Sequence, residues 1–246
     1  MAFVIEVASG QHIGDKREQQ DRLAIFSSKR QDGVLLAVVA DGMSGLTGGA
    51  MAAEHAIATA RDIFEDHSPS LRTPDQLLRT VIEDAHAAIR LARSTSDQEP
   101  HSTIVALLLQ PKRADWAHSG DSRLYHFRGN KFLSHTVDHS YVERLYREGK
   151  IKAEDRQRHP QRSLLVSCLG ARDAPQVGIG GTAPLQAGDT FLLCTDGLWA
   201  YFDEQELGST LTEGTPREAS EKLVAAARIR ARGSGDNLSL VIVKLG

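Results

Sequence analysis

The 246-residue sequence contains only two cysteines, Cys168 and Cys194, and their spacing matches no zinc-binding pattern. Two cysteines are too few for a disulfide framework, so the sequence predicts a reduced protein, with the cytoplasm as its expected location. No apolar run approaches 18 residues, which argues against a membrane-spanning helix. The N-terminal stretch MAFVIEVASG also lacks the basic start and the long apolar run of a signal peptide.

Aromatic residues are scarce at 5%, whereas hydrophobic residues as a whole make up 41% of the chain. The predicted core is therefore mostly aliphatic. The formal net charge of -3 gives no electrostatic reason to bind nucleic acid. We find no internal repeat, low-complexity tract or long linker, and the length allows one large domain or two small ones.

Short apolar runs predict the buried strands. Each run is β-branched or leucine-rich and is bounded by Gly, Asp or Asn. These runs are residues 34–40, 103–109, 190–194 and 238–245. Residues 122–128 alternate between polar and apolar side chains, which is typical of a half-exposed strand.

Three segments have the apolar spacing of amphipathic helices. One covers residues 50–65, and the others begin at Thr73-Pro74 and Thr215-Pro216, where Thr can cap the helix and Pro is tolerated at its first position. The third helix is predicted to carry Ala219, Leu223, Ala226 and Ile229 on one apolar face. Because strands and helices do not alternate strictly, we predict an α+β fold in which helices cover two packed antiparallel sheets.

Five aspartates stand at the ends of predicted strands. They are Asp21, Asp41, Asp121, Asp196 and Asp236. A carboxylate in this position loses solvation, which is costly unless it meets a cation or several hydrogen-bond donors. Oxygen ligands favour Mg²⁺ or Mn²⁺ over zinc, and the histidines show neither HxH nor HExxH spacing. The pattern therefore indicates a metal site.

A plain turn is the alternative at each position taken alone. Asp41-Gly42 and Asp196-Gly197 are both Asp-Gly pairs, which are common turn signatures. Repetition of acids at strand ends favours a metal site, but spacing by itself leaves both interpretations open.

Six ordered motifs resemble those of the bacterial metal-dependent protein phosphatases, the type 2C family. They are GDKREQQD (14–21), VVADGMSG (38–45), SGDSRLY (119–125), TVDHS (136–140) with Gly149, His159-Pro160 and Leu169-Gly170 behind it, CTDGLW (194–199) and GDNLSLVIV (235–243). The resemblance runs nearly from end to end. It implies a single catalytic domain over residues 1–246 and a four-layer αββα sandwich.

The resemblance also assigns roles to the aspartates. It implies that Asp41 bridges two metal ions and that the Gly42 carbonyl binds one of them. Asp196 and Asp236 would complete the second ion's ligands, Asp21 would act through a metal-bound water, and Asp121 would help to hold a weaker third ion. Two Mn²⁺ or Mg²⁺ ions about 4 Å apart lower the pKa of a shared water, which can attack the phosphorus of phosphoserine or phosphothreonine.

Two departures from the family pattern affect proton transfer and phosphate binding. Many eukaryotic members carry a histidine where this chain has Met43, so the general acid must be a metal-bound water or another group, with His139 as one candidate. The family arginine that binds phosphate usually stands five residues before the motif aspartate, a position that Lys16 occupies here, with Arg17 next to it. Alternation along a strand would direct Lys16 into the site and Arg17 to solvent; a one-residue slip would reverse them, and both could be plain surface charges.

Two rival functions remain to be compared with an active protein phosphatase. A haloacid dehalogenase-type phosphatase needs Asp-x-Asp after a strand, and Asp41-Gly42-Met43 lacks the second acid. A non-catalytic phosphoprotein-binding module would keep the fold, yet such copies usually lose metal acids that this chain retains. The resemblance favours a monomeric enzyme that opposes a bacterial Ser/Thr kinase. The QQD form of the first motif is similar to that of members encoded with type VI secretion systems, whose substrate is a forkhead-associated protein.

Overall fold

The computed structural model describes residues 3–43, 48–66, 72–94 and 97–246. Strands β1 to β10 are, in order, Ile5–His12, Arg22–Ser27, Leu35–Ala40, Ile104–Gln110, Arg113–Ser119, Arg123–Arg128, Lys131–His135, Gly178–Thr182, Asp189–Cys194 and Leu238–Leu245. Helices α1 to α6 are Gly49–Glu65, Pro74–Ser94, Tyr141–Arg147, Asp196–Trp199, Glu204–Thr212 and Pro216–Ala231, and a 3-10 helix covers Ala153–Arg158. Ser44 and Gly45 of the central motif lie outside the described residues.

The strands form two antiparallel sheets of five strands each. The order in the first sheet is β1-β10-β9-β6-β7, and the order in the second is β2-β3-β4-β5-β8. Strands β3, β4, β9 and β10 are buried along nearly their whole length because they lie inside the sheets and are covered on both faces. This burial explains their continuous apolar sequences.

In the described residues, three hydrophobic clusters lie between four layers and pack them together. The central cluster joins the two sheets through residues such as Leu107 of β4 and Phe191 of β9. A second cluster packs α1 and α2 against the outer face of the β2–β8 sheet, and a third packs α4, α5 and α6 against the outer face of the other sheet. The predicted αββα sandwich is therefore confirmed.

Capping residues set the start of the long helices as the sequence predicts. The Thr215 hydroxyl accepts a hydrogen bond from Glu218 N, and the Glu218 carboxylate accepts one from Thr215 N. Thr73 and Gln76 exchange the same two kinds of hydrogen bond before α2. No helix in the described part of the chain is long and apolar enough to cross a bilayer.

The buried face of α6 differs from the predicted one. Ala219 and Leu223 are buried as expected, but the stripe continues through Ala227 and Ala231, and Ile229 is 77% exposed. The helix packs its four-residue row onto β1 and β10, so small alanines rather than isoleucine meet the sheet. Ala226 is half-buried. The prediction for Ile229 was wrong because apolar character alone does not fix which of two overlapping rows is buried.

Candidate metal centre

Strand pairing brings the five aspartates to one end of the sandwich. Asp21 and Asp41 are neighbours because Arg22 of β2 pairs with Ala40 of β3. At the same end of the other sheet, β9 leads into Asp196 and Asp236 precedes β10. Asp121 lies in the connection between β5 and β6, which crosses from one sheet to the other. The sequence pattern of acids at strand ends thus becomes a single cluster.

Asp21 is fully buried and only partly satisfied by protein donors. One carboxylate oxygen accepts a hydrogen bond from the Thr195 hydroxyl at 3.0 Å, whereas Oδ1 is buried without a hydrogen-bond partner among the described residues. Burial is the main cause that raises the pKa of Asp21 to about 7, and the charge of Asp196 raises it further. A buried, unpaired carboxylate oxygen is costly, and a cation or a cation-bound water would offset that cost.

Asp41 and Asp196 are destabilised as anions by burial and by neighbouring acids. Burial raises the pKa of Asp41 well above its usual range, and the charges of Asp21 and Asp196 add to the effect. Burial also raises the pKa of Asp196 to about 6, with a further contribution from Asp236. Like charges held this close favour proton uptake or cation binding.

Asp121 belongs to the same electrostatic cluster. Burial raises the pKa of this carboxyl well above its usual range, and the charges of Asp196 and Asp138 act in the same direction. The Arg123 guanidinium opposes the rise. Arg123 forms its ion pair with Asp138, at 2.8 Å.

The backbone around Asp41 is held closely. The Asp41 carbonyl accepts hydrogen bonds from Thr103 N and the Ser102 hydroxyl, both at 2.9 Å. A Cβ added to Gly42 would lie 2.3 Å from the carbonyl oxygen of Gly49 and 2.6 Å from that of Gln20. Only glycine fits in this position, which accounts for the Asp-Gly sequence by packing as well as by function.

Lys16 and Arg17 lie in a turn and bend over residues 14–18, not in a strand. Alternation along a strand therefore does not apply to them, and which of the two binds phosphate stays a prediction. Lys16 Nζ contacts Asp236 Oδ2 at 2.8 Å, and its charge opposes the rise in the pKa of Asp196. Arg17 is exposed. Of the two basic residues, Lys16 is thus the one that contacts an aspartate of the cluster.

Asn237 fixes the segment that carries Lys16. Its side-chain oxygen accepts a hydrogen bond from Gln20 N at 2.7 Å, and its Nδ2 donates to the carbonyls of Ile13 and Glu18. Sequence analysis did not single out Asn237 or Thr195, although both lie within recognised motifs. Their signal was adjacency to Asp236 and Asp196, because a polar residue beside a buried acid commonly supplies a hydrogen bond.

His139 is a poor candidate for the proton donor. Burial and the charge of His118, whose ring stacks on it with centroids 4.6 Å apart, lower the pKa of His139 to about 4. Its Nδ1 accepts a hydrogen bond from Gly120 N at 3.3 Å. The imidazole is therefore neutral at physiological pH, and its hydrogen bond stabilises the backbone next to Asp121.

The side chains present fit divalent cations by charge and donor type. They supply buried carboxylate oxygens, one of them unpartnered, and they raise one another's pKa. Over the ranges that the structure describes, no three His, Cys, Asp or Glu side chains approach closely enough to bind one ion together. Shared ligation by Asp41, Asp196 and Asp236 therefore stays a prediction.

Known proteins resemble the chain over almost its whole length. The family model for protein phosphatase 2C matches residues 10–231. The serine/threonine phosphatase stp of Listeria welshimeri is 32% identical over 235 residues, which cover 93% of this chain and 91% of that protein. The catalytic domain of the serine/threonine protein phosphatase PstP, solved with two manganese ions, is 26% identical, with a TM-score of 0.81 and 99% of each chain covered.

A further solved structure is PppA, a key regulatory component of the type VI secretion system in Pseudomonas aeruginosa. It is 26% identical, with a TM-score of 0.81 over 100% of this chain and 99% of PppA. The chain belongs to the protein phosphatase 2C family and is a metal-dependent protein serine/threonine phosphatase. These likenesses favour catalysis over the non-catalytic binding module.

Proposed function

We propose that residues 1–246 form one catalytic domain in which the aspartate cluster holds the metal ions for phosphoserine and phosphothreonine hydrolysis. The observation that supports this assignment is the convergence of five aspartates at one end of the sandwich, with burial and mutual repulsion raising the pKa of Asp21, Asp41, Asp121 and Asp196. Bound divalent cations would supply positive charge for the phosphoryl oxygens and a water of lowered pKa.

Each residue of the cluster would have its own role in binding the metal ions or the water. Asp41, Asp196 and Asp236, with the Gly42 carbonyl, would hold two tightly bound ions. Asp121 would contribute to a weaker third, and Asp21 would accept a hydrogen bond from a water in the site. Oxygen donors suit Mn²⁺ or Mg²⁺, and the two manganese ions in PstP support the choice of metal.

Hydrolysis of p-nitrophenyl phosphate and of a phosphothreonine peptide, with and without Mn²⁺, tests the site assignment. The metal-free chain should be inactive, and Mn²⁺ should restore activity to wild type and to Asp32→Asn, a control at an exposed acid. Asp41→Asn should stay inactive at saturating Mn²⁺. Equal activity of the Asp41 and Asp32 variants would reject the site.

The physiological substrate is proposed to be a protein phosphorylated by a bacterial Ser/Thr kinase, either the kinase itself or a forkhead-associated protein. The enzyme would act as a monomer in the cytoplasm. The likeness to PppA supports a type VI secretion setting, while the likeness to stp supports a general kinase antagonist. A phosphoproteome comparison of a deletion strain with its parent tests both alternatives. Only the type VI secretion setting predicts that phosphopeptides from secretion components accumulate in the deletion strain.

Lys16→Ala is expected to raise KM for a phosphopeptide at least about tenfold, equivalent to ~1.4 kcal/mol of binding. The reason is that Lys16 reaches Asp236, where a substrate phosphate would need a cation in addition to the metal ions. Steady-state kinetics at saturating Mn²⁺ measure the change. Arg17→Ala, one residue away and exposed, is the matched control and should change KM little; the opposite result would make Arg17 the phosphate ligand.

A further inference from the structure

Arg123 is the centre of a half-buried polar cluster beside the aspartates. Its Nε and Nη2 donate to the two carboxylate oxygens of Asp138, each at 2.8 Å, and its Nη1 donates to the Tyr125 hydroxyl at 2.9 Å. The guanidinium carbon lies 3.7 Å from the centroid of the Trp199 ring. The side chains of Arg123 and Asp138 are only 17% and 10% exposed.

Trp199 connects this cluster to Asp121. Its indole nitrogen donates a hydrogen bond of 2.9 Å to the Asp121 carbonyl oxygen. Trp199 also ends α4, the short helix that begins at Asp196. One aromatic side chain therefore touches the backbone of one candidate metal ligand and belongs to the same helical turn as another.

Asp138 connects the cluster to the segment that follows β7. Its neighbour His139 donates its backbone N–H to the Gly120 carbonyl at 2.9 Å, directly before Asp121. Arg123 itself is two residues after Asp121. Three chain segments thus meet at one guanidinium. The Asp138 segment is hydrogen-bonded to Gly120 and Trp199 is hydrogen-bonded to Asp121, while Arg123 belongs to the same segment as Asp121.

The guanidinium has little freedom to move. A bidentate arginine–carboxylate pair fixes the plane of the guanidinium, and the aromatic ring beneath it limits displacement along the normal to that plane. This arrangement fixes the backbone of Asp121. The Asp121 carboxylate itself takes no part in the ion pair, which Arg123 forms with Asp138. A fixed backbone restricts where a carboxylate can be placed.

We propose that Arg123, Asp138 and Trp199 are positioning residues that hold Asp121 at a set place relative to Asp196. The proposal rests on the function proposed above, in which both aspartates are metal ligands. None of the three positioning residues needs to touch substrate or metal. Their effect would be to preorganise the weaker ion site, so that binding an ion there requires little rearrangement of the loop between β5 and β6.

A purely structural ion pair is the competing interpretation, and the same strand offers a matched example. Arg128, at the other end of β6, donates to the buried Asp189 at 2.7 Å through Nε and at 3.4 Å through Nη2. That pair lies at the opposite end of the sandwich from the aspartates. If Arg123 only stabilises the fold, weakening either pair should have the same consequences.

Calorimetric titration of Mn²⁺ into the metal-free chain tests the proposal. Trp199→Phe keeps an aromatic ring at this position and removes the donor to Asp121 together with part of the ring surface, while Arg123→Lys keeps the charge and removes the planar fork. Both should weaken the weakest Mn²⁺ site at least about fivefold, ~1 kcal/mol, and leave the tighter sites within about twofold. Arg128→Lys should leave every Mn²⁺ affinity unchanged, even if it lowers Tm by as much as Arg123→Lys does.

Asp121→Ala in the same titration separates the two levels of the argument. If Asp121→Ala removes the weakest site but Trp199→Phe and Arg123→Lys bind Mn²⁺ like wild type, the positioning proposal is overturned and the metal role of Asp121 stands. If Asp121→Ala leaves all sites intact, both are overturned. Equal losses in Arg128→Lys and Arg123→Lys would show a general effect of stability and would also overturn the proposal.

Discussion

Asp41→Asn is expected to lower kcat by at least about a thousandfold at saturating Mn²⁺. This carboxylate lies at the centre of the cluster, where Asp21, Asp121, Asp196 and Asp236 all raise its pKa. Removing its charge takes away the group placed to bind more than one cation, and electrostatic stabilisation by cations supplies most of the catalysis of phosphoryl transfer. Asp196→Asn and Asp236→Asn should also lose orders of magnitude in kcat.

The variants should remain folded, which separates a catalytic loss from unfolding. Asparagine is nearly isosteric with aspartate and removes repulsion among neighbouring acids, so the metal-free Asp41→Asn chain should have a Tm equal to or above that of wild type at pH 7.5. Circular dichroism and stopped-assay kinetics on the same preparations measure both quantities. Near-wild-type kcat in any one of the three variants would remove that residue from the metal centre.

The second large effect concerns the pH dependence of stability without metal. Metal-free Asp21→Asn should be more stable than wild type at pH 8 by roughly 4 kcal/mol, about 10 °C in Tm, and similar to it near pH 4. The reason is that burial raises the pKa of Asp21 from 3.8 to about 7. Between these values the folded chain binds a proton that the unfolded chain has released, so wild-type stability falls as pH rises through this window.

The comparison with asparagine is needed because other groups act in the opposite direction. Burial lowers the pKa of His118 and His139, which makes stability rise with pH below about 6.5 in both proteins. Subtracting the Tm curve of wild type from that of Asp21→Asn removes the contribution of the histidines, which both proteins share. Parallel curves from pH 4 to pH 8 would show that Asp21 ionises normally in the folded chain, and Asp32→Asn, at an exposed acid, should give such parallel curves.

The central strands could be predicted from the sequence because they are buried on both faces. The runs around β3, β4, β9 and β10 are almost continuously apolar, and that pattern has few alternatives. Strand β1 is an edge strand with exposed residues in IEVASGQH, and β8 is glycine-rich, so neither has a clear period. Their pairing depends on neighbours that are distant in sequence.

The polar stretch of residues 150–163 shows a similar limit. It looks poor in core residues, yet it contains the 3-10 helix Ala153–Arg158, which Arg156 ties to Glu143 of α3 by an ion pair. Hydrophobic periodicity does not predict a segment whose structure is stabilised by ion pairs. The aspartates of the site could be located because acids at the ends of apolar runs are unusual, whereas Asp138 and Trp199 gain their importance only from three-dimensional contacts.

The division of the aspartates between the two sheets has a mechanical consequence. Asp21 and Asp41 extend from β2 and β3 in one sheet, and Asp196 and Asp236 flank β9 and β10 in the other. Ions bound by both groups would join the two sheets reversibly at one end of the sandwich, in addition to the central apolar layer between them. Amide hydrogens at the ends of β3 and β9 should then exchange with solvent more slowly, and in step with one another, when Mn²⁺ is bound.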